Sequence, residues 1–308
     1  MSGDIKVRQY IRGALYGLAA VGIWSGWVLV SRLGLRTTSL TPWDVTAIRF
    51  AVAGPIMLPY VLKKGLAIDR LGWAGLAAIL LGGGAPMVLL ANAGLVFAPA
   101  AHASALYTGT IPLQVAILAA LLIDERFTVP KWIGCFLILT GVLGIVWGAG
   151  GTIGTRQNVG HVLFLAACLL WASYTVAMRK ARLEGVHAAA VAAVGAVVSY
   201  VPAYAVATEM SVLNARWQDI ALQAFVQGLL TAVISFMLYG RAISILGASG
   251  GAAFAALAPA MTALLGIPLL GEWPALVDWI AISIISVGVY FASGGPLPNR
   301  SRFYSQLT

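Results

Sequence analysis

Charge is scarce in this chain. Asp, Glu, Lys and Arg make up 9% of its 308 residues, where a soluble globular domain carries about 25%. That deficit excludes a soluble globule, because 60% of the residues are hydrophobic and the mean hydropathy is +0.92. The apolar residues fall in runs of the roughly 20 residues that span a bilayer as a helix. Cysteine is nearly missing. Cys135 and Cys168 both lie inside apolar runs, so neither a disulfide framework nor a thiolate metal centre is expected. H-E-x-x-H, P-loop and dinucleotide fingerprints are also missing. The expectation is no metal, no cofactor and no direct powering by a nucleotide. The net charge of +9 is dispersed between apolar segments, with no basic stripe on any one helix, so nucleic acid is not an expected partner. The expected partners are the lipid bilayer and a small-molecule substrate.

What the chain does contain is itself, twice. Sliding residues 13–148 onto 160–295 without a gap places Gly13 on Gly160, Trp24 on Trp171, Arg32 on Arg179 and Pro55 on Pro202. Further along it places Pro112 on Pro259, Glu125 on Glu272, Trp132 on Trp279 and Gly141 on Gly288. Reading apolar runs between breaks predicts ten helices, over 12–34, 43–62, 72–92, 99–122, 130–148, 160–180, 188–207, 217–240, 247–270 and 276–293. The organisation is then a first five-helix repeat (1–148), a polar glycine-rich linker (149–159), a second repeat (160–295) and a tail (296–308). The first apolar segment follows Lys6, Arg8 and Arg12 and is long enough to remain as a span, unlike a cleaved signal.

Orientation follows from the basic residues. With a cytoplasmic N-terminus, Arg32, Arg36, Arg156 and Arg216 fall outside and Arg49 within the second span; every other Lys and Arg falls inside. Both termini are therefore expected in the cytoplasm. Five helices per copy is an odd number, so the second copy must insert upside down. The expected fold is an all-α integral membrane protein of two inverted five-helix repeats. Such repeats let one backbone design adopt two packings, whose exchange opens a central site to alternate sides.

Each copy closes with a similar stretch, IPLQVAILAALLIDERFTVPKWIGCFLILTGVLGIVWG at 111–148 and APAMTALLGIPLLGEWPALVDWIAISIISVGVYFA at 258–292. Each shows a proline, an apolar run, a helix-end Glu, an amphipathic connector and a Gly-Val. Each copy also opens with a Trp followed by Arg eight residues later, and 41–54 reads TPWDVTAIRFAVAG. In these features the chain resembles the EamA branch of the drug/metabolite transporter superfamily, from 13 to about 293. The resemblance implies a bacterial inner-membrane carrier with a central cavity walled by helices three, four, eight and nine. It leaves the cargo open among amino acids, small metabolites, nucleotide sugars, sugar phosphates and cationic drugs.

Polar groups inside a membrane need a partner or an aqueous cavity. Here most of them are amides, hydroxyls and aromatics, which suit a zwitterionic or neutral molecule with an apolar body. A sugar phosphate calls for several buried cations, and only Arg49 approaches that. Neutral or aromatic amino acids, or similar amphipathic metabolites, are the expected cargo of an exporting carrier. The expected substrate-binding residues are Trp24, Trp27, Asn92, Tyr107, Trp171, Tyr174, Ser235 and Tyr239. Asn92 and Tyr239 occupy equivalent repeat positions near the ends of helices three and eight. Trp24 and Trp171 pair likewise, as do Trp27 and Tyr174, and these rings sit away from the interfacial belts, where they offer a stacking surface.

Pro112 and Pro259 remove a backbone hydrogen bond in mid-helix and are read as hinges. Arg49, roughly 9 Å inside its span at 1.5 Å per residue, is expected to snorkel or to pair with Asp44, with holding a carboxylate at the outer vestibule as the alternative. Glu125 and Glu272 end helices four and nine, where a helix dipole disfavours them. Their expected partners are the backbone N–H groups opening the next helix, with a proton-coupling role as the alternative. Gly247-Ala248-Ser249-Gly250-Gly251 satisfies G-x-S-x-G, which keeps an intramembrane serine protease as a remote alternative. Its serine lacks a base: His102 belongs at the opposite end of the ~30 Å core, and His161 and His187 lie near the ends of other spans.

Overall fold

The computed structural model describes residues 2–123, 128–148 and 156–294, without the side chains of residues 2–7, 248, 249 and 252. Glu125, the side chain of Ser249, most of the predicted linker and the tail lie outside that range. The described residues form helices and no strand. In chain order they are α1 (Ser2–Thr37), α2 (Pro42–Lys64), α3 (Ile68–Phe97), α4 (Ala100–Ile123), α5 (Val129–Gly148), α6 (Arg156–Lys180), α7 (Gly185–Ala207), α8 (Trp217–Gly247), α9 (Ala253–Leu270) and α10 (Leu276–Ala292). Among the described residues, α1 to α9 are each long and apolar enough to cross a membrane, and α10 is a shorter apolar helix of 17 residues.

Local sequence sets the helix starts. Pro42 occupies the first turn of α2, where its missing N–H is not needed. Thr41 and Asp44 close a capping box, with Thr41 N donating to Asp44 Oδ2 at 2.7 Å and Asp44 N to Thr41 Oγ1 at 3.3 Å. Along α5, Trp132, Phe136, Leu139, Leu143 and Trp147 are exposed at helical spacing, while Gly134, Ile138, Gly141 and Ile145 are buried. An exposed apolar stripe of this length is what a lipid-facing helix presents.

Antiparallel pairs build the bundle. Trp43 and Asp44 at the start of α2 meet Tyr200 and Tyr204 near the end of α7, while Gly65, just past α2, accepts from His187 near the start of α7. α5 and α10 cross at repeat-equivalent glycines. A Cβ on Gly141 would lie 2.5 Å from Ile285, and one on Gly288 would lie 2.8 Å from both the Ile138 nitrogen and the Gly134 oxygen. Only glycine permits this approach. α1 runs against α8, and α3 against α6, in the same antiparallel sense: Gly13 packs on Leu246 and Gly34 on Gln223, while Gly160 packs on Ala98 and Gly82 on Leu170. Exchanging the two copies maps each of these pairings onto itself or onto the other.

Four spans are not continuous α-helix. α4 contains a π-segment, Ser104–Thr108, and is interrupted at Gly109 and Thr110; α9 is interrupted at the equivalent Ala256 and Leu257. Pro112 and Pro259 therefore stand in the first turn of resumed segments (Ile111–Ile123 and Ala258–Leu270), where proline is tolerated. This corrects the expectation of mid-helix prolines: the break precedes each one. α3 is interrupted at Gly83 and resumes at Ala85, and the corresponding stretch of α8 is a π-segment, Ala224–Ile234. α3 also runs past the predicted 92 to Phe97, ending two residues before Pro99, which opens the next helix.

Candidate functional site

Arg49 sits about two turns into α2 with 7% of its surface exposed. Its Nη1 donates to Gln227 Oε1 at 3.4 Å, and its guanidinium carbon lies 5.4 Å from the centre of the Trp27 ring and 5.9 Å from that of Phe50. Gln227 is itself anchored, donating through Nε2 to Ser31 Oγ and to Gln223 Oε1, while Gln223 Nε2 donates to the Val30 carbonyl at 2.8 Å. The guanidinium is thus oriented by α1 and α8, and its Nε has no hydrogen-bond partner among the described residues. The expected Asp44 pair does not form. Asp44 is taken by Thr41, Ser211 and Tyr204 at the helix end, a full turn and more away from Arg49 along α2. Nor does Arg49 snorkel, since it is buried on all sides.

Aromatic rings surround this cation. Trp27 meets Tyr107 edge-on with centroids 5.5 Å apart, and the Tyr107 hydroxyl reaches Met87 Sδ at 3.2 Å. Trp171 packs on Tyr174 at 4.9 Å and on Phe236 at 6.4 Å. Arg49, Phe50, Gly83, Trp171, Tyr174 and Phe236 line one cavity of ≈ 20 Å³, room for about one water. The interruption at Gly83 faces this space, as irregular backbone at membrane depth requires. Trp27 Nε1 and Asn92 Oδ1 are likewise buried without a hydrogen-bond partner among the described residues.

The other predicted residues divide. Asn92 is fully buried in α3, somewhat more than one turn before its end at Phe97, and donates through Nδ2 to Thr46 Oγ1 on α2 at 3.1 Å. The Ser235 hydroxyl is turned back onto the Thr231 carbonyl at 2.7 Å, so it is engaged within its own helix. Trp24 packs against Tyr239 at 4.8 Å. Tyr239 lies well inside α8, not near its end, and lines an open cleft of ≈ 470 Å³ together with Pro112, Lys131, Thr175 and Arg179. A groove of ≈ 580 Å³ between the start of α1 and the α8–α9 connection has no charged lining residue and shares no wall with the Arg49 cavity. Pro259 lies beside Ala258, whose carbonyl accepts from Ser25 at 3.4 Å.

The end of the bundle opposite the cleft is closed by Glu272. Its Oε1 lies 2.7 Å from Arg32 Nε and 3.2 Å from Arg36 Nη1, and its Oε2 accepts the Ala100 N–H at 2.8 Å. Arg32 also donates to the Leu95 carbonyl. Glu272 therefore ties α1, the end of α3 and the start of α4 together. The backbone donor belongs to α4 and not, as expected, to the next helix in sequence.

Among the described residues, broken helices surround the buried Arg49, a separate cleft lies toward one end of the bundle and the Glu272 ion pairs at the other, and relatives can be compared against that geometry. The EamA-like transporter family profile matches twice, at residues 11–147 and 158–294. The chain belongs to the EamA-like transporter family. It is a multi-pass membrane protein built from two family repeats. It is similar to the uncharacterized inner membrane transporter YedA of Escherichia coli (strain K12), 26% identical over 289 residues that cover 92% of this chain and 90% of that one. It is also similar to the uncharacterized transporter YyaM of Bacillus subtilis (strain 168), 26% identical over 267 residues that cover 82% and 85%. A solved crystal structure superposes with a TM-score of 0.56 at 20% identity, covering 91% of this chain and 96% of that one, which supports the fold.

Sequence reasoning missed the acidic partners of this transporter. Asp278, in the first turn of α10, is buried beside His102, and Glu272 pairs with Arg32 as well as with a backbone N–H. A signal existed for Arg32, since it and Glu272 belong to the two most regular features of the repeat. Nothing in the linear pattern pairs Asp278 with a histidine 176 positions earlier.

Proposed function

We propose that this protein is an alternating-access carrier of the bacterial inner membrane that exports neutral or aromatic amino acids, or amphipathic metabolites of similar charge. The observation that carries the reading is Arg49, one buried guanidinium with an unpartnered Nε, set among Trp27, Phe50, Trp171, Tyr174 and Phe236. A single buried cation matches a single carboxylate, and the charge-assisted bond is strongest where water is excluded. The rings supply an apolar wall for the side chain and π-faces for an ammonium group. Several phosphate oxygens would need more cations than the cavity lining contains.

The antiparallel α2–α7 and α5–α10 pairs support inverted repeats, because each pair joins corresponding helices of the two copies. The distribution of Lys and Arg supports ten spans with both termini cytoplasmic. On that orientation the cleft bounded by Lys131 and Arg179 opens to the cytoplasm, and the Glu272 latch closes the outer end. Cargo enters past Tyr239 and Trp24, reaches Arg49, and leaves when the latch parts and the broken helices exchange packings.

Counterflow in proteoliposomes tests this directly. Radiolabelled aromatic or aliphatic amino acids should exchange without nucleotide, and excess unlabelled amino acid should compete. Uptake restricted to phosphorylated cargo would overturn the reading.

A further inference from the structure

Away from the Arg49 cavity lies a second polar cluster that the carrier mechanism has not used. His102 Nε2 stands 3.1 Å from Asp278 Oδ1, and His102 Nδ1 stands 3.0 Å from His161 Nε2. Asp278 Oδ2 accepts the Ala275 N–H at 2.9 Å. All three residues are buried, His161 to 2% exposure, and His161 Nδ1 at the far end of the chain has no partner among the described residues. The groups come from the first turns of α4 and α10 and the second turn of α6, three helices brought together at the latched end.

We propose that His102, His161 and Asp278 form a proton-binding site of the carrier, whose occupancy is linked to closure of the Glu272 end. With both imidazoles neutral, His102 donates from Nε2 to Asp278 and accepts at Nδ1 from His161 Nε2. The cluster then carries one uncompensated negative charge, and His161 Nδ1 is a buried acceptor with nothing to accept. One proton from the medium taken up on His161 Nδ1 makes an imidazolium and brings the cluster to zero net charge. The Asp278 carboxylate favours that imidazolium while burial of the rings opposes it, so the site holds its proton only as long as the contacts to Asp278 and between the two rings are made.

Linkage to the latch follows from connectivity. Glu272 accepts the N–H of Ala100, two residues before His102, and the segment that follows Glu272 opens α10 with Asp278. Separating the α9–α10 connection from α4 must stretch both contacts, so the closed arrangement binds the proton more tightly and opening releases it. Other charges on the packed elements are few. Glu272 with Arg32 and Arg36 reaches the same helix start, α6 begins at Arg156, whose guanidinium lies 5.6 Å from the centre of the Phe97 ring, and Gly148 of α5 is the neighbour of Asp278 Oδ1.

The proton proposal rests on the carrier reading for its meaning, but its test needs no substrate. The chain has three histidines, so isotope-labelled histidine gives three resolvable ring systems in the purified full-length protein. His187, bonded to the Gly65 carbonyl at 2.9 Å, is the internal control. As the pH is lowered, the His102 and His161 ring signals should change together, in the manner of a pair sharing one proton. Asp278→Asn should shift that titration by about a pH unit or more, tenfold or more in proton affinity, without moving His187. Glu272→Gln should lower the pair's proton affinity. Invariant His102 and His161 signals in the unmodified protein would overturn the proton site, and an unmoved pair in Glu272→Gln would overturn the link to closure. Should counterflow find no amino-acid exchange while the pair titrates, the cargo assignment fails and the proton site stands.

Discussion

The two repeats agree in their apolar framework and disagree in their chemistry. Gly141 and Gly288 make the same crossing from opposite partners, and the interruptions at 109–110 and 256–257 are equivalent. Arg49, by contrast, corresponds to Ala196, His102 to Ser249, His161 to Ala14 and Asp278 to Lys131. Duplication thus supplies a pair of interchangeable scaffolds, and single substitutions on that scaffold give the molecule one cation and one proton-binding cluster. A symmetric cavity would need every charge twice, at a desolvation penalty of several kcal/mol for each buried ion. One copy of each is sufficient for a site that both packings share.

That contrast can be broken experimentally. The largest effect is expected at the unshared cation: Arg49→Gln should lower exchange about 100-fold, equivalent to roughly 2–3 kcal/mol for a charge-assisted bond. Substituting Ala196, its repeat counterpart, by Gly should leave exchange within about twofold, for which only packing changes. Equal losses in both variants would remove the distinction between scaffold and site. At the latch, Glu272→Gln should cost about 1–3 kcal/mol of closure, read as increased labelling of a cysteine introduced at Leu270 near Arg36.

The shared framework makes the complementary prediction. Gly141→Ala and Gly288→Ala should each lower the melting temperature in detergent by similar amounts, corresponding to about 1–3 kcal/mol of overpacking. A large loss in one and none in the other would show that the crossing is not symmetric in energy. The smallest effect belongs to the ring pair at the cleft, Trp24 and Tyr239. Tyr239→Ala should raise the half-saturation concentration roughly threefold to tenfold, the value of one aromatic contact, with expression unchanged; unaltered kinetics there and in Trp171→Ala would discard the aromatic path.

The sequence carried the architecture because bilayer physics leaves little choice: apolar runs of helical length must be helices, and a repeat in register must pack as one. The helix-break positions were half legible. Pro112 and Pro259 announced them, but a proline alone does not say whether it kinks a helix or starts one, and the π-turn before Pro112 decides that through its neighbours. Among the predicted site residues, Trp27, Tyr107, Trp171 and Tyr174 fall around Arg49. Ser235 does not reach outward, because its hydroxyl bonds to its own helix, a competition invisible in a residue list.

Length, hydropathy and internal repetition by themselves determined that this chain forms a duplicated helical membrane protein, since each is a property of segments that solvent and lipid read locally. Which helix faces which, and therefore that Arg49 meets Gln227 and not Asp44 and that His102 meets Asp278, was decided only in three dimensions. Those partners are separated by 178 and 176 positions, and no local rule acts over such distances; only the packing of antiparallel helices brings their atoms within hydrogen-bonding reach.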